Sequence, residues 1–260
     1  MVKIATPISH LFNDRSTAEE IIIVSDCLEI REHCLKSDWP REHLFHVDID
    51  INHEWDEEKR KFFNIVFDNK PDLQLISFQA TTCCSDPKLV GNMFEVGGKI
   101  WLRNEMINSS IKNINWLRKT LNSDIKIAIE NNNYYPTEAY DVVTDGEFLS
   151  EIVYENDLYF LFDIAHALIT AKNKSQDYNR YKTTLPLDRI IQLHICKPDL
   201  SSRIAYDTHE KPDASIYGEV FSLIAQYPTI KYLTVEYYKE KEGLIDSIKH
   251  LKHSLDFEKV

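Results

Sequence analysis

Eight short runs rich in β-branched and aromatic residues recur along the chain, and amphipathic, helix-like stretches separate most of them. This alternation constrains the fold more than any other feature, because strands that alternate with helices form a parallel sheet. Several runs are almost continuously apolar, as expected for strands that are covered on both faces. The strand-like runs are KIATPIS, CLEIRE, LFHVDIDI, LQLISFQ, IKIAIE, LYFLFDI, IIQLHIC and YLTVEYY. The helix-like stretches are STAEEIIIVS, DEEKRKFFNIVFDN, NEMINSSIKNINWLRKTLN, DGEFLSEIVYEN, ASIYGEVFSLIAQY and KEGLIDSIKHLKHSL.

The number of strand-like runs and the length of the chain favour a closed barrel. Eight strands in 260 residues are typical of a (β/α)8 or TIM barrel, which commonly has ~250 residues. The alternative is an open, doubly wound sheet, which would be expected to carry a glycine-rich phosphate turn after an early strand. No G-x-G-x-x-G sequence occurs. The sequence therefore predicts an α/β protein with a (β/α)8 barrel, formed by a single domain over residues 1–260.

Composition argues against several classes of protein. The formal net charge is −12, whereas nucleic-acid binders usually present a basic face to the phosphates. No apolar run is long enough to span a bilayer, and the first residues do not resemble a secretion signal. The five cysteines are odd in number and include no C-x-x-C pair. We therefore expect no nucleic-acid partner, no membrane partner and a cytoplasmic location.

Histidines and carboxylates stand at or near the ends of several strand-like runs. IKIAIE ends in Glu130, and LYFLFD ends in Asp163 with His166 three residues further on. Asp207 and His209 in YDTHE are two residues apart, which places both side chains on one side of an extended segment. Because all strand ends of a TIM barrel open onto the same face, we expect these groups to converge there. The expected set is His46, Glu130, Asp163, His166, His194, Asp207, His209 and Glu236.

Such a set of side chains predicts a metal centre. Four carboxylates at one barrel mouth would repel one another and would partly protonate unless cations compensated their charge. Mixed imidazole and carboxylate ligands suit iron, manganese or zinc, and eight ligands are too many for one ion. The joint pattern carries this prediction, since a lone strand histidine is usually structural. A cysteine–histidine dyad that uses Cys83 or Cys196 stays open as an alternative.

In these segments the chain resembles the multinuclear non-haem iron-dependent oxidases, of which the methanobactin biosynthesis enzyme is the best-known type. The resemblance extends from about Ile125 to Tyr238, and CLEIREHC and LFHVDIDI match more loosely upstream. The segments that carry it are IAIENNNYY, FLSEI, LFDIAHALITAKN, YKTTLPLDRIIQLHICKP, YDTHEKP and LTVEYY.

The resemblance implies a xylose-isomerase-like TIM barrel with two or three iron ions, of mixed valence, at its mouth. It implies an enzyme that uses O2 to oxidise cysteine residues of a ribosomally made precursor peptide, often with a small partner protein that recognises the leader. We expect Glu130, Asp207 and Glu236 to act in catalysis, and Asn131 to support the metal site. The ligand positions that match the family are His46, Glu130, Asp163, His194, Asp207, His209 and Glu236.

Two residues depart from the family pattern. His166 stands where many members have asparagine, and imidazole is the better ligand of the two. Gln79, in LISFQ, stands where the family has a second upstream histidine, and a neutral amide is a poor ligand for iron. We therefore expect one metal position to be weak or empty, or Gln79 to hold a water molecule beside the cofactor.

Two other functions stay open, the first of them suggested by the wider relatives of this barrel. One is a sugar isomerase or epimerase that uses manganese or another divalent metal to polarise adjacent oxygens. The other is a non-catalytic, peptide-binding barrel in which Gln79 marks lost chemistry.

Overall fold

The computed structural model describes residues 1–122 and 124–257 and has a closed barrel of eight parallel strands at its centre. The barrel strands are β1 (Lys3–Pro7), β2 (Cys27–Ile30), β3 (Glu42–Val47), β4 (Leu75–Phe78), β7 (Lys126–Glu130), β8 (Tyr159–Asp163), β9 (Ile190–Ile195) and β12 (Tyr232–Val235). Neighbours in the ring follow the order of the chain, and β1 pairs with β12 to close it. All eight predicted strands form, and the predicted TIM barrel is confirmed. The single domain over residues 1–260 stays a prediction.

Helices cover the outside of the barrel. In the described part of the chain they are α1 (Arg15–Val24), α2 (Glu57–Asn69), α3 (Arg103–Thr120), α4 (Gly146–Glu155), α5 (Ile164–Asn173), α6 (Tyr178–Lys182), α7 (Ala214–Gln226) and α8 (Lys241–Phe257). The six predicted helical stretches all form, within one or two residues at each end. The sequence did not predict α5 and α6. None of the described helices has both the length and the apolar character that a membrane crossing requires.

The two-residue period of the strands separates a small inner core from a larger outer one. Ala128 and Leu161 face the barrel axis and pack with other small or aliphatic residues at its amino-terminal end. Ile127 and Ile129, their neighbours in sequence, pack outward in the core that lies against the helices. Since the same period continues to the strand ends, it directs Glu130 and Asp163 into the carboxyl-terminal mouth of the barrel.

The connection between β2 and β3 contains no α-helix. Its residues, 31–41, include only a short 3-10 turn at Glu32–Cys34. The Lys70 ammonium anchors this segment, because Nζ lies 2.5 Å from both the Ser37 carbonyl and Glu42 Oε2. Trp39 adds a third link, donating its backbone N–H to Glu42 Oε1 at 3.0 Å. This wall of the barrel mouth is therefore a loop held by one buried ion pair.

Two antiparallel hairpins extend the loops at the carboxyl-terminal end, and the sequence predicted neither. The first pairs β5 (Lys88–Val90) with β6 (Met93–Glu95), and Gly91, with φ of 62°, forms its turn. The second pairs β10 (Lys197–Asp199) with β11 (Tyr206–Glu210). Asp207 and His209 lie on β11, so this hairpin carries two of the predicted ligands over the barrel mouth.

Candidate metal centre

All eight predicted ligands lie together at the carboxyl-terminal mouth of the barrel. Glu130, at the end of β7, is the central one: its Oε1 lies 3.1 Å from His194 Nδ1, and its Oε2 lies 3.3 Å from His46 Nε2. The Glu130 side chain is only 1% exposed. Burial would raise the pKa of this carboxyl, but the neighbouring imidazoles outweigh burial and lower the pKa to about 2. The carboxylate is therefore charged and available as a ligand at neutral pH.

A first cluster joins Glu130, Asp163 and His166, whose ligand atoms lie within 4.8 Å of one another. Asp163 Oδ2 is buried and has no hydrogen-bond partner. Burial, together with the charge on nearby carboxylates, raises the pKa of Asp163 to about 7. Among the ion pairs of the described residues, none joins Glu130 or Asp163 to a lysine or arginine. The positive charge nearest to these carboxylates within the cluster is the His166 imidazole, whose pKa Asp163 and the other nearby carboxylates raise.

The local sequence explains how Asp163 and His166 meet. Asp163 is the last residue of β8 and also the N-cap of α5, because its Oδ1 accepts the backbone N–H of His166 at 2.7 Å. The Asn131 side chain exchanges two hydrogen bonds of 2.9 Å with the Asp163 backbone. Asn131 O lies 2.9 Å from His166 Nδ1, so that nitrogen can donate, and Nε2 faces Asp207 Oδ2 at 3.2 Å. Asn131 thus orients two of the predicted ligands.

A second cluster joins Glu29, His194 and Glu236. Glu29 Oε2 lies 3.0 Å from His194 Nε2, and Glu236 Oε1 lies 3.3 Å from His194 Nδ1. Burial would raise the pKa of Glu29, but the charges of His194 and Arg31 lower it to about 2. Glu29 was not among the predicted ligands, although it faces the barrel axis from β2.

Arg31 is a second residue of the site that was not predicted from the sequence. Its Nη2 lies 2.8 Å from Glu29 Oε1 and also contacts Glu236 Oε1. The second cluster therefore already contains a guanidinium that offsets part of its negative charge. The signal was present in CLEIRE, because the two-residue period places Glu29 and Arg31 on the same face of the strand.

The hairpin of β10 and β11 completes the site from above. His209 Nε2 lies 3.3 Å from Asp207 Oδ2 and 3.5 Å from Glu236 Oε2. His209 has a left-handed backbone, with φ of 45°, a conformation that costs a non-glycine residue roughly 1–2 kcal/mol. Asp207 Oδ2 also lies 3.2 Å from His166 Nε2, so Asp207 connects the hairpin to the first cluster.

The thiols near the site do not form a cysteine–histidine dyad in the described structure. Cys196 Sγ donates to Asp207 Oδ1 at 3.3 Å, and Cys83 Sγ donates to the carbonyl of Glu138 at 3.1 Å. Burial raises the pKa of the Cys83 thiol to about 11 and raises that of Cys196 as well. Both thiols are therefore protonated and unsuited to act as nucleophiles.

Gln79 lies at the edge of the site, directly after β4. Its amide Nε2 donates to Glu130 Oε2 at 2.9 Å and lies 3.1 Å from His46 Nε2. The other nitrogen of His46, Nδ1, is 2.9 Å from Ser77 Oγ. Burial lowers the pKa of His46 to about 4, with a further contribution from the charge on Arg31. His46 is therefore a neutral imidazole with both nitrogens hydrogen-bonded.

A cavity of about 1000 Å³ lies over the two clusters. Such a volume is at the upper end of the range for small-molecule sites. One wall is the helix-free connection after β2, and another is the segment that follows β1. The lining includes Ile8, Phe12, His33, Lys36, Trp39 and Tyr238. The cavity thus places a partly apolar, partly basic wall beside a polar floor of ligands.

More than half of the chain matches a known protein family. Residues 100–256 match the family described as RiPP precursor modification enzyme MbnB/TglH/ChrH. A UPF0276 protein of Caulobacter vibrioides (strain NA1000 / CB15N) is 30% identical over 86 residues, which are 33% of this chain and 31% of that protein. A UPF0276 protein of Acaryochloris marina (strain MBIC 11017) is 28% identical over 109 residues, 40% of each chain. The matched segments therefore span about a third to two fifths of these relatives.

Solved structures resemble the whole barrel at low sequence identity. A D-tagatose 3-epimerase-like protein has a TM-score of 0.64 and 18% identity over 98% of both chains. The 3-keto-D-glucoside 4-epimerase of E. coli has a TM-score of 0.60 and 13% identity, over 97% of this chain and 100% of that one. These likenesses agree with the TIM barrel, and at such identities they show the fold alone.

Proposed function

Because the chain belongs to the MbnB/TglH/ChrH family of RiPP precursor modification enzymes, we propose that it is a multinuclear iron-dependent oxidase acting on a peptide. Its substrate would be a ribosomally made precursor peptide, whose cysteine residues it modifies with O2. The single observation that carries the metal-dependent part is Asp163 Oδ2 in the first cluster, which is buried without a hydrogen-bond partner. A buried polar atom without a partner costs about 1–3 kcal/mol, and a bound cation would remove that cost.

The donor set fits a metal of the iron, manganese or zinc type. Both clusters offer imidazole nitrogen and carboxylate oxygen, the combination that these ions accept. In this proposal Glu130, Asp163 and His166 hold one ion, with Asp207 beside them. The second position is formed by Glu29, His194 and Glu236, with His209 above it. Glu130 would be within reach of both positions, since it contacts His166 of the first cluster and His194 of the second.

Iron, when bound, would supply one-electron oxidation and the activation of O2. The chain itself would bind the peptide in the cavity and accept the proton of the peptide's cysteine thiol. Asp207 is placed for that task, because its Oδ1 accepts the Cys196 thiol at 3.3 Å and so already acts as a thiol acceptor. Glu236, which shares the mouth with Asp207 and His209, is the second proton-accepting carboxylate in the proposal.

The cavity supports a peptide substrate by its size and lining. Apolar side chains such as Phe12 and Trp39 offer contacts to peptide side chains, and Lys36 and His33 add basic character at the rim. The two aromatic rings pack edge to face at 6.0 Å, which makes this wall a defined surface. The small leader-recognition partner and the cytoplasmic location stay predictions.

The test begins with metal content in protein purified without oxygen. We expect about two or three iron ions per chain in the native protein and a clear loss in Asp163→Ala. Asp188→Ala is the matched control, because Asp188 is an exposed aspartate that pairs with Tyr154 outside the barrel mouth. Its metal content should equal that of the native protein.

The second measurement is turnover of a cysteine-containing precursor peptide with and without O2, followed by mass spectrometry. Strict dependence on O2 and a mass change confined to cysteine residues would support the oxidase. Manganese or zinc in place of iron, with turnover of a ketose sugar in the absence of O2, would instead identify an epimerase. Native protein that takes up no metal under any of these conditions would refute the proposal.

A further inference from the structure

We propose that Gln79 closes a metal position at the barrel mouth, so that the native chain holds no ion between His46 and Glu130. This inference rests on the proposed metal-dependent function and specifies which of its predicted ligands act. Its basis is a contact across the site: His46 Nε2 and Glu130 Oε2 are 3.3 Å apart, and one amide nitrogen of Gln79 reaches both.

The orientation of the Gln79 amide follows from its neighbours. Glu130 Oε2 is a charged acceptor, so it would repel the amide oxygen and attract the amide N–H group. The nitrogen has two hydrogens and can donate to Glu130 at 2.9 Å and to His46 at 3.1 Å. The amide oxygen in turn lies 3.4 Å from Thr81 Oγ1, which can donate to it. Both ends of the amide are thus satisfied in one orientation.

His46 has no lone pair left for an ion in this arrangement. Nδ1 is hydrogen-bonded to Ser77 Oγ at 2.9 Å, and Nε2 accepts from the Gln79 amide. An ion on Nε2 would have to displace the amide, whose N–H groups would then lose their partners inside the protein. The loss of the hydrogen bond from the amide to the charged Glu130 carboxylate is unfavourable, and this cost counts directly against binding at this position.

The first cluster is the opposite case. There, Asp163 Oδ2 is buried and has no hydrogen-bond partner, and no amide contact of Asp163 Oδ2 is present among the described residues. Neither of the two clusters whose ligand atoms lie within 4.8 Å of one another contains His46. The geometry therefore separates the first cluster, which keeps an oxygen without a hydrogen-bond partner, from a position that the chain has closed with the Gln79 side chain.

Replacing Gln79 with a ligand should open the closed position. The Gln79→His change would replace the N–H donors of the amide with a ring nitrogen that has a lone pair. The introduced imidazole could then bind one ion together with His46 and Glu130. Gln79→Glu offers a second route, since glutamate keeps the shape of glutamine and supplies a carboxylate. Because the two variants differ in chemistry, the test can still be interpreted if one of them does not fold.

The experiment loads native and variant proteins with Fe(II) without oxygen, removes unbound metal and counts ions by mass spectrometry of the elements. We expect Gln79→His and Gln79→Glu to bind about one more ion per chain than the native protein. Gln74→His is the matched control, because Gln74 lies at the other end of the same strand and contacts Lys3 and Tyr232 instead. It should bind no additional ion.

His46→Ala completes the design. In the native background it should leave the ion count unchanged, and in the Gln79→His background it should remove the added ion. Equal counts in the native protein and both Gln79 variants would overturn the inference while the proposed function stands. Loss of an ion from native protein carrying only His46→Ala would also overturn it. Protein that binds no ion in any background would overturn the proposed function and the inference together.

Discussion

Replacing Lys70 with methionine should destabilise the protein by about 3–5 kcal/mol. The Lys70 and Glu42 side chains are only 8% and 7% exposed and form an ion pair with Nζ 2.5 Å from Oε2. Removing one partner of a buried pair leaves an uncompensated charge, which accounts for a cost of this size. Lys70→Met also removes the contact to the Ser37 carbonyl and so releases the segment that forms one wall of the cavity.

The loss converts into a shift of melting temperature. Unfolding entropies of about 2.1 cal/mol/K per residue give about 0.55 kcal/mol/K for a chain of this length. A loss of about 3–5 kcal/mol then lowers the melting temperature by about 5–9 °C. Thermal and urea unfolding, followed by circular dichroism, measure the two quantities independently.

Two further variants test whether the burial of the Lys70–Glu42 ion pair causes the loss of stability. Lys59→Met breaks an exposed pair with Asp56, whose atoms are 3.5 Å apart, and should cost less than about 1 kcal/mol. The double variant Glu42→Gln/Lys70→Met removes both charges and should recover part of the stability lost in Lys70→Met. If Lys70→Met loses no more stability than Lys59→Met, the reasoning from burial is wrong.

The other predictions concern the core, a helix cap and the metal. Trp55→Ala should lower the free energy of unfolding in urea by about 3–5 kcal/mol, because the buried indole stacks on Phe63 at 4.5 Å between ring centroids. Asp213→Ala should cost about 1 kcal/mol at neutral pH, since Asp213 is the N-cap of α7. The Ser215 hydroxyl lowers the pKa of Asp213 from 3.8 to about 2, so its contribution is complete above the unfolded pKa and disappears as the pH falls through about 2. Melting temperatures of the two proteins should therefore converge at that pH. Chelation of bound metal should lower the melting temperature by about 5 °C if free metal was at 100 times its dissociation constant, equivalent to about 2.7 kcal/mol for one ion. The shift should be smaller in Asp163→Ala, which keeps only the second cluster intact.

The barrel was predictable because its strands are buried on both faces. Runs such as IKIAIE and LYFLFD must be apolar along their length, so the polar residues that end them are conspicuous. In a TIM barrel, residues that end the strands lie at the carboxyl-terminal mouth. The structure places Glu130 and Asp163 there, in the first cluster. Helix α5 was missed for a related reason: Asp163 ends the strand and caps the helix, so no turn residue separates the two elements.

Glu29 and Arg31 were missed because they lie inside a strand-like run and not at a distinct end. Their effect is large, since they add a carboxylate and a guanidinium to the second cluster. The contact of Gln79 with His46 joins positions 33 residues apart, and the sequence could flag Gln79 as unusual but could not show that its amide occupies the lone pair of His46. The hairpin of β5 and β6 left no clear signal because its strands are short, largely exposed and ordered around Gly91.

The helix-free connection between β2 and β3 also bears on how such a protein can change over evolutionary time. Elsewhere in the barrel, an altered loop is followed by a helix whose packing against the strands limits insertions. Residues 31–41 have no such helix, and lengthening a surface loop costs little entropy. Homologous proteins can therefore acquire a differently shaped cavity here while Lys70 and Glu42 keep the ends of the segment in place. Members of the family that act on different peptides are expected to diverge most in this stretch.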